Sequence, residues 1–334
     1  MGKSDVNFCG ELWKDNEFCL RTSVIGGKIY HKIKNVKGVN HFVKTTMMPL
    51  WKLFANINLA YGRMEAKKEQ KEFEYNLTIV LIAKNEGSYI REWVAYHKLI
   101  GADHIVVYDN ESEDNQKEVI ADYIQDGFVD YIHVAGKGMQ ISVYNDAVKK
   151  YKNKSKYLAF IDGDEFLLPL EKGSLYDIVD DILTKNPNAG GLAVNWRMFG
   201  PAGHVTKPEG LVIENYLYRT REGVEHNDCI KTIANPRRID EVIHAHCSRY
   251  KRGFYCIDDT GMPVFGPKNP DHVPVRLRIN HYYTKSKEEW DRRRSWGKAD
   301  SKDRTDIRSD AEFYAYDNKD IYDDTMLRFA DKIR

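Results

Sequence analysis

The sequence lacks most features that would settle its class at once. Its five cysteines, Cys9, Cys19, Cys229, Cys247 and Cys256, are odd in number and include no Cys-x-x-Cys pair. This argues against a disulfide framework or a cysteine-rich zinc site and favours a reducing compartment. No apolar run is long enough to span a bilayer, and the N-terminus has no signal-peptide pattern, so a cytoplasmic protein is expected. Neither sign of charge is in excess. Lys+Arg number 51 and Asp+Glu 50, a net charge of +1, which gives no support to a nucleic-acid partner. Repeats and low-complexity tracts are missing too. His244, His246 and Cys247 could together hold a metal, but a strand end with two polar residues is the simpler account.

One absence is local. From Lys28 to Lys52 there is no Asp or Glu. The stretch carries Lys28, Lys32, Lys34, Lys37, Lys44 and Lys52, with Phe42, Met47, Met48, Leu50, Trp51, Leu53 and Phe54 in and just beyond it. Basic residues beside such apolar groups can hold a protein peripherally at the inner face of an anionic membrane. The plainer alternative is an extension packed on the main domain. Residues 1–75 are read as a basic N-terminal extension, 76–300 as the main domain, and 301–334 as a helical segment packed on it.

What is present is a 334-residue chain, 42% hydrophobic and 30% charged, long enough for a substantial core. Leu77–Ala83 is a continuous apolar run, as in a strand buried on both faces. Residues 89–100 then show helical spacing that ends at Gly101. Further strands are expected at 104–108, 128–134, 157–161 and 191–196, with helices at 115–125, 141–150 and 174–185. From Lys285 onward, charged amphipathic helices are expected. Alternating strands and helices predict an α/β fold, a mostly parallel sheet flanked by helices. Ligands of such sheets bind at the carboxyl ends of the strands. Three polar clusters lie there: Lys84–Gly87, Asp109–Asp114 and Asp162–Glu165.

Asp162-Gly-Asp-Glu165 sets three carboxylates at the end of a buried strand. Like charges so close require a cation or raised pKa values, and hard oxygen ligands suit Mg²⁺ or Mn²⁺ with a substrate diphosphate. An acidic helix-capping turn is the bland alternative. Asp109 can accept from a nucleobase N–H or a ribose hydroxyl, beside Asn85 and Glu86. His281 is a possible metal ligand, and Lys285 could meet phosphate charge.

Together these motifs resemble glycosyltransferases of the GT-A fold, in the family 92 or DUF23-like group, near the bacterial family 2-like enzymes. The resemblance rests on Ala83-Lys-Asn-Glu86, Glu92-Trp-x-x-Tyr-His97, Tyr108-Asp-Asn-x-Ser-x-Asp114, Asp162-Gly-Asp-Glu-Phe166, Trp196-x-x-Phe-Gly200 with Gly203-His204, Lys231-Thr-Ile with Pro236, and His281-Tyr-Tyr-Thr-Lys-Ser286. It implies that Ala83, Asn85, Glu86 and Asp109 hold the nucleoside of a nucleotide-sugar, with UDP the expected carrier. It further implies that Asp162 and Asp164 hold the diphosphate and metal, with His281 as third protein ligand. Gln140 and Asn145 match donor-side positions, whereas Trp93 and His97 read as core. The implied reaction is an inverting transfer to a glycan, lipid-linked or other glycoconjugate acceptor, with a carboxylate as general base. Asp228 is favoured for that role and Glu165 is its rival. A sugar nucleotidyltransferase is one alternative, although Lys84–Gly87 is a poor Gly-rich basic loop. A non-catalytic carbohydrate-binding protein is another.

Overall fold

A computed structural model describes residues 48–294, 309–317 and 319–334. Cys9, Cys19 and the basic stretch before residue 48 lie outside the described residues. No helix among the described residues is long and apolar enough to cross a membrane.

The Leu77–Ala83 run lies within β1 (Tyr75–Ala83), which is buried from Leu77 onward because it is central. It pairs in parallel with β2 (His104–Asp109) and, on its other side, with β4 (Ser155–Phe160); β3 (Val129–His133) extends the sheet beyond β2. Beyond β4 come antiparallel β8 (Ile230–Ala234) and then β6 (Ala189–Met198). Parallel β11 (Tyr255–Ile257) and the short β12 (Pro263–Val264) close that edge. Strand β13 (Leu277–His281) also pairs in parallel with β6, and antiparallel β5 (Glu165–Pro169) lies beside it. Outside this sheet, β7 (Tyr218–Arg219) pairs with β14 (Ile321–Tyr322), and β9 (Ile239–Val242) with β10 (Ser248–Tyr250).

Alternation along β1 builds two layers. Leu77, Ile79 and Leu81 share a core with Trp93, Val94 and Tyr96 of α2 (Ile90–Ile100) and with Ile178, Val179 and Ile182 of α5 (Leu175–Lys185). Val80 and Ile82 pack on the other face with Val143, Tyr144 and Ala147 of α4 (Gln140–Tyr151). Upstream, α1 (Met48–Ala66) docks through Trp51, Ala55 and Leu59. Its Gly62 lies so close to Gly253 that an added Cβ would stand 2.5 Å from the Gly253 carbonyl oxygen.

Three expectations are corrected. The helix expected over 115–125 is a 3-10 turn, Glu118–Ile120, followed by the short α3 (Ala121–Gln125). The acidic motif leads straight into β5, whose role depends on β13 more than a hundred residues away. The chain after Lys285 is not purely helical. With the short α6 (Val212–Asn215) counted, α7 (Lys287–Arg294), α8 (Asp310–Ala315) and α9 (Ala330–Ile333) are interrupted by β14.

Candidate active site

In-register pairing brings the strand ends together: Ala83 faces Asp109, Asp109 faces His133, and Glu165 faces His281. The acidic loop after β4 therefore lies beside the loop after β1 and the end of β13, with the loop after β2 one strand further on.

Each carboxylate of Asp162–Glu165 has a different environment. Asp162 Oδ2 accepts from Lys231 Nζ at 2.8 Å, and Oδ1 accepts from the Gln140 amide at 2.8 Å. Asp164 is buried. Its Oδ2 accepts from Arg293 at 2.8 Å, and its Oδ1 stands 3.4 Å from His281 Nε2. Burial alone would raise its pKa, but Arg293 and His281 hold it well below the ordinary range. Glu165 has no exposed surface. Its Oε2 accepts from the Asp162 amide at 2.9 Å, and Lys231 lies 3.8 Å away. Burial pushes its pKa well up, against the opposing effect of Lys231.

The first polar loop closes the site from above. Glu86 lies against the acidic turn, since a Cβ on Gly163 would meet Glu86 Cγ at 3.5 Å. Its Oε2 stands 3.8 Å from Lys285 Nζ. Lys285 is fully buried, with its ammonium 3.5 Å from the Tyr89 ring centroid and without a hydrogen-bond acceptor among the described residues. Burial lowers its pKa to about 8. Lys285 and Asn85 both adopt positive φ, 52° and 57°. That is unusual for Lys, and the packing around its buried side chain must hold it there. Asn85 Oδ1 accepts from the Glu113 amide and so ties the loop after β1 to that after β2, while Asp109 Oδ1 accepts from the Ser112 amide within the second loop. Asn145 lies on α4, away from the strand ends. Its side chain exchanges hydrogen bonds with the Val242 backbone and so clamps β9 to α4.

The Glu92-Trp-x-x-Tyr-His97 motif supports the acidic loop from behind. Trp93 Nε1 donates to the Glu165 carbonyl at 2.8 Å, Tyr96 Oη donates to the Leu167 carbonyl at 2.7 Å, and His97 Nε2 accepts from the Leu167 amide at 3.3 Å. His97 Nδ1 then carries the proton that it gives to the Trp93 carbonyl. Burial drives its pKa down to about 3. Glu92 accepts from the amides of Val212 and Ile213, the first residues of α6, at 2.8 and 3.1 Å. Burial raises its pKa from 4.5 to about 7. A carboxyl whose folded pKa is raised stabilises the fold below the unfolded value, and that contribution is lost as pH climbs through the folded value. Glu92→Gln is therefore expected to gain stability relative to the parent between pH 5 and pH 8, by up to about 3 kcal/mol. Paired thermal melts across that range measure it, and a pH-independent difference contradicts it.

The charge chemistry of a divalent-cation site is partly in place. Asp164 Oδ1 and His281 Nε2 face each other, and His281 Nδ1 is buried without a partner among the described residues. The carboxylate suits Mn²⁺ or Mg²⁺, and an imidazole beside it favours the transition metal over Mg²⁺. Asp162 differs from expectation, because Lys231 and Gln140 engage its carboxylate and it does not converge with the other two. Among the described residues, the three-residue group whose ligand atoms all lie within 4.8 Å of one another is Asp258, Asp259 and His272. There the oxygens are already engaged. Asp258 Oδ1 accepts from Thr260 and Met262, and Asp259 Oδ2 accepts from the amides of Val275 and Arg276. This group clasps the loop leading into β13.

Asp228 ends the 3-10 turn Glu225–Asp228. It connects to the site in steps. The Cys229 carbonyl accepts from the Trp196 amide at 2.9 Å, and the Trp196 ring centroid lies 4.3 Å from that of His281. The Asp228 carboxylate accepts no hydrogen bond from a described residue, whereas its backbone carbonyl accepts from the Asn269 amide at 2.7 Å.

Two cations escaped the sequence reading as site residues. Lys231 was noticed only as part of a motif. Arg293 sits in Arg292-Arg293-Arg294, a run that reads as a solvated helix face. No local signal separates the inward Arg293 from its neighbours.

The family model for glycosyltransferase family 92 matches residues 81–312. The chain belongs to glycosyltransferase family 92. Among curated family 92 proteins, one from Ricinus communis is 29% identical over 214 residues, 63% of this chain and 36% of that protein. One from Oryza sativa subsp. japonica is 27% identical over 182 residues, 54% of this chain and 31% of that protein. The family 92 chain thus spans about a third of the length of these relatives in the matched region. Among solved structures it resembles S. aureus TarS residues 1–349 in complex with UDP, at 14% identity and TM-score 0.33, over 48% of this chain and 47% of that one. It also resembles glucosyl-3-phosphoglycerate synthase from Mycobacterium tuberculosis in complex with Mn²⁺, UDP and product, at 15% identity and TM-score 0.28, over 40% and 47%.

Proposed function

We propose that this family 92 chain moves a sugar from a nucleotide-sugar, with UDP as first carrier to test, onto a glycan or glycoconjugate hydroxyl with inversion. The observation that carries this reading is the buried ammonium of Lys285, unpartnered by hydrogen bonds among the described residues and set beside Glu86, Asp164 and Arg293. Buried cations around an acidic motif suit a ligand with several negative charges, as a diphosphate has. Asp109 and the Asn85–Glu86 turn would hold the nucleoside. Asp164 and His281, joined by Asp162 once it is released from Lys231, would hold Mn²⁺ or Mg²⁺. Such an ion supplies charge stabilisation for the leaving diphosphate. Lys285 and Arg293 would add hydrogen-bond donors to the same oxygens. Asp228 would take the acceptor proton.

Titration calorimetry with UDP, with Mn²⁺ and with chelator, tests the donor half. Binding is expected to be at least roughly ten-fold tighter with the ion, a difference of about 1.4 kcal/mol. Asp164→Ala is expected to remove that difference. Identical binding by parent and variant in both buffers overturns the reading.

A further inference from the structure

We propose that the outward face of α1 docks on an anionic lipid bilayer. The helix buries one face and leaves a second apolar face open. Leu50, Leu53, Ile57, Tyr61 and Met64 follow three- and four-residue spacing and are 43%, 54%, 45%, 40% and 57% exposed. They form a continuous stripe of roughly 21 Å at the ordinary helical rise. Scattered surface apolar residues are unremarkable, but an aligned set on one helix marks an interaction surface.

The helix cannot roll to bury the stripe, because its other face is fixed to the domain. Trp51, Ala55 and Leu59 are buried, Gly62 abuts the backbone of Gly253, and Asn188 ties the two segments together. The Asn188 amide donates to the carbonyls of Leu59 and Gly253 at 2.9 and 2.8 Å, and its Oδ1 accepts from Arg63 at 3.0 Å.

Charge identifies the occupant. From Phe18 to Met64 the sequence has no Asp or Glu, and it carries Arg21, six lysines between Lys28 and Lys52, and Arg63. The whole chain is net +1, so the rest of it is net acidic and the basic charge is concentrated in this stretch of sequence, which contains the stripe. The exposed turn beside the helix adds Lys251 and Arg252, the latter with its guanidinium carbon 4.9 Å from the Tyr61 ring centroid. An apolar stripe flanked by Lys52, Arg63, Lys251 and Arg252, with Glu65 at its far end paired to Lys68, complements anionic headgroups over acyl chains. A second copy of the chain would bring two such basic rims together. The contacts at Asn188 and Gly253 lie near the starts of β6 and β11, at the sheet edge opposite the candidate site, so docking there leaves the catalytic edge open.

The test is co-sedimentation of the full chain with phosphatidylcholine vesicles, with and without phosphatidylserine. The parent is expected to pellet with the anionic vesicles at low salt and to be released at high salt, because screening shortens the reach of its charges. Leu53→Glu with Ile57→Glu, both on the exposed face, is expected to cut binding roughly ten-fold or more, with the thermal melt and UDP affinity unchanged. Changing Lys28, Lys32, Lys34 and Lys37 to Gln is expected to weaken it separately. Equal pelleting of parent and the double variant overturns the proposal. So does a parent that never pellets, as it would if its own first residues covered the stripe. A parent that is dimeric without lipid and becomes monomeric in the double variant assigns the face to a second copy instead, and also overturns it.

Discussion

Lys231→Met is expected to lower the unfolding free energy by about 3–5 kcal/mol, the cost of removing one partner from a buried ion pair. Lys231 is 1% exposed and is the cation shared by Asp162 and Glu165, at 2.8 and 3.8 Å. Methionine fills nearly the same volume, so packing changes little and the loss is electrostatic. Asp162, a third exposed, and the fully buried Glu165 would then face each other without their shared cation. Against a typical total stability of about 5–15 kcal/mol, that is a large fraction. At a few degrees per kcal/mol, the melting temperature should fall by about 10 °C. A second variant separates charge from shape. Adding Glu165→Gln to Lys231→Met removes one of the two carboxyl groups left without a cation and should restore part of the loss, a coupling that a double-mutant cycle measures directly. If Lys231→Met melts with the parent, the buried cation does not neutralise the loop.

Asp228→Asn is expected to slow sugar transfer by roughly 100-fold or more while UDP affinity stays near the parent's. A general base must be free to accept the proton of an acceptor hydroxyl, and the Asp228 carboxylate accepts no hydrogen bond from a described residue. Glu165 is instead fully buried, with Oε2 engaged by the Asp162 amide and Oε1 without a partner among the described residues, so an acceptor hydroxyl reaches it less readily than Asp228. Glu165→Gln should therefore act through the shape and charge of the acidic loop and weaken UDP binding together with transfer. Measuring transfer rate and UDP affinity for both variants decides between them. Full transfer by Asp228→Asn, with transfer lost and UDP affinity intact in Glu165→Gln, reverses the assignment.

The parts of the fold that sequence makes legible are those with strong local periodicity. The apolar run before Ala83 has no room for a solvated face, so it must be a central strand, and β1 lies between β2 and β4. Helices 90–100, 140–151 and 175–185 likewise follow from spacing and stop signals. Strand β5 was not legible, since Glu165–Pro169 gains its identity from pairing with Leu277–His281.

The candidate site divides along the same line. Sequence alone determined that acidic and polar clusters lie just after strands of an α/β sheet, because strand ends and loop polarity are local properties. It also determined that Asp164 and Glu86 belong to such clusters. Only the tertiary structure decided how their charges are balanced. Lys231 on β8 faces Asp162, Arg293 on α7 faces Asp164, and the Glu92–His97 motif holds the backbone of β5. Those partners come from distant segments, and a lysine or arginine is written the same way whether it points to water or into a carboxylate. Periodicity reports which residues are buried as a class. Which buried charge meets which is set by long-range register, which sequence spacing does not encode.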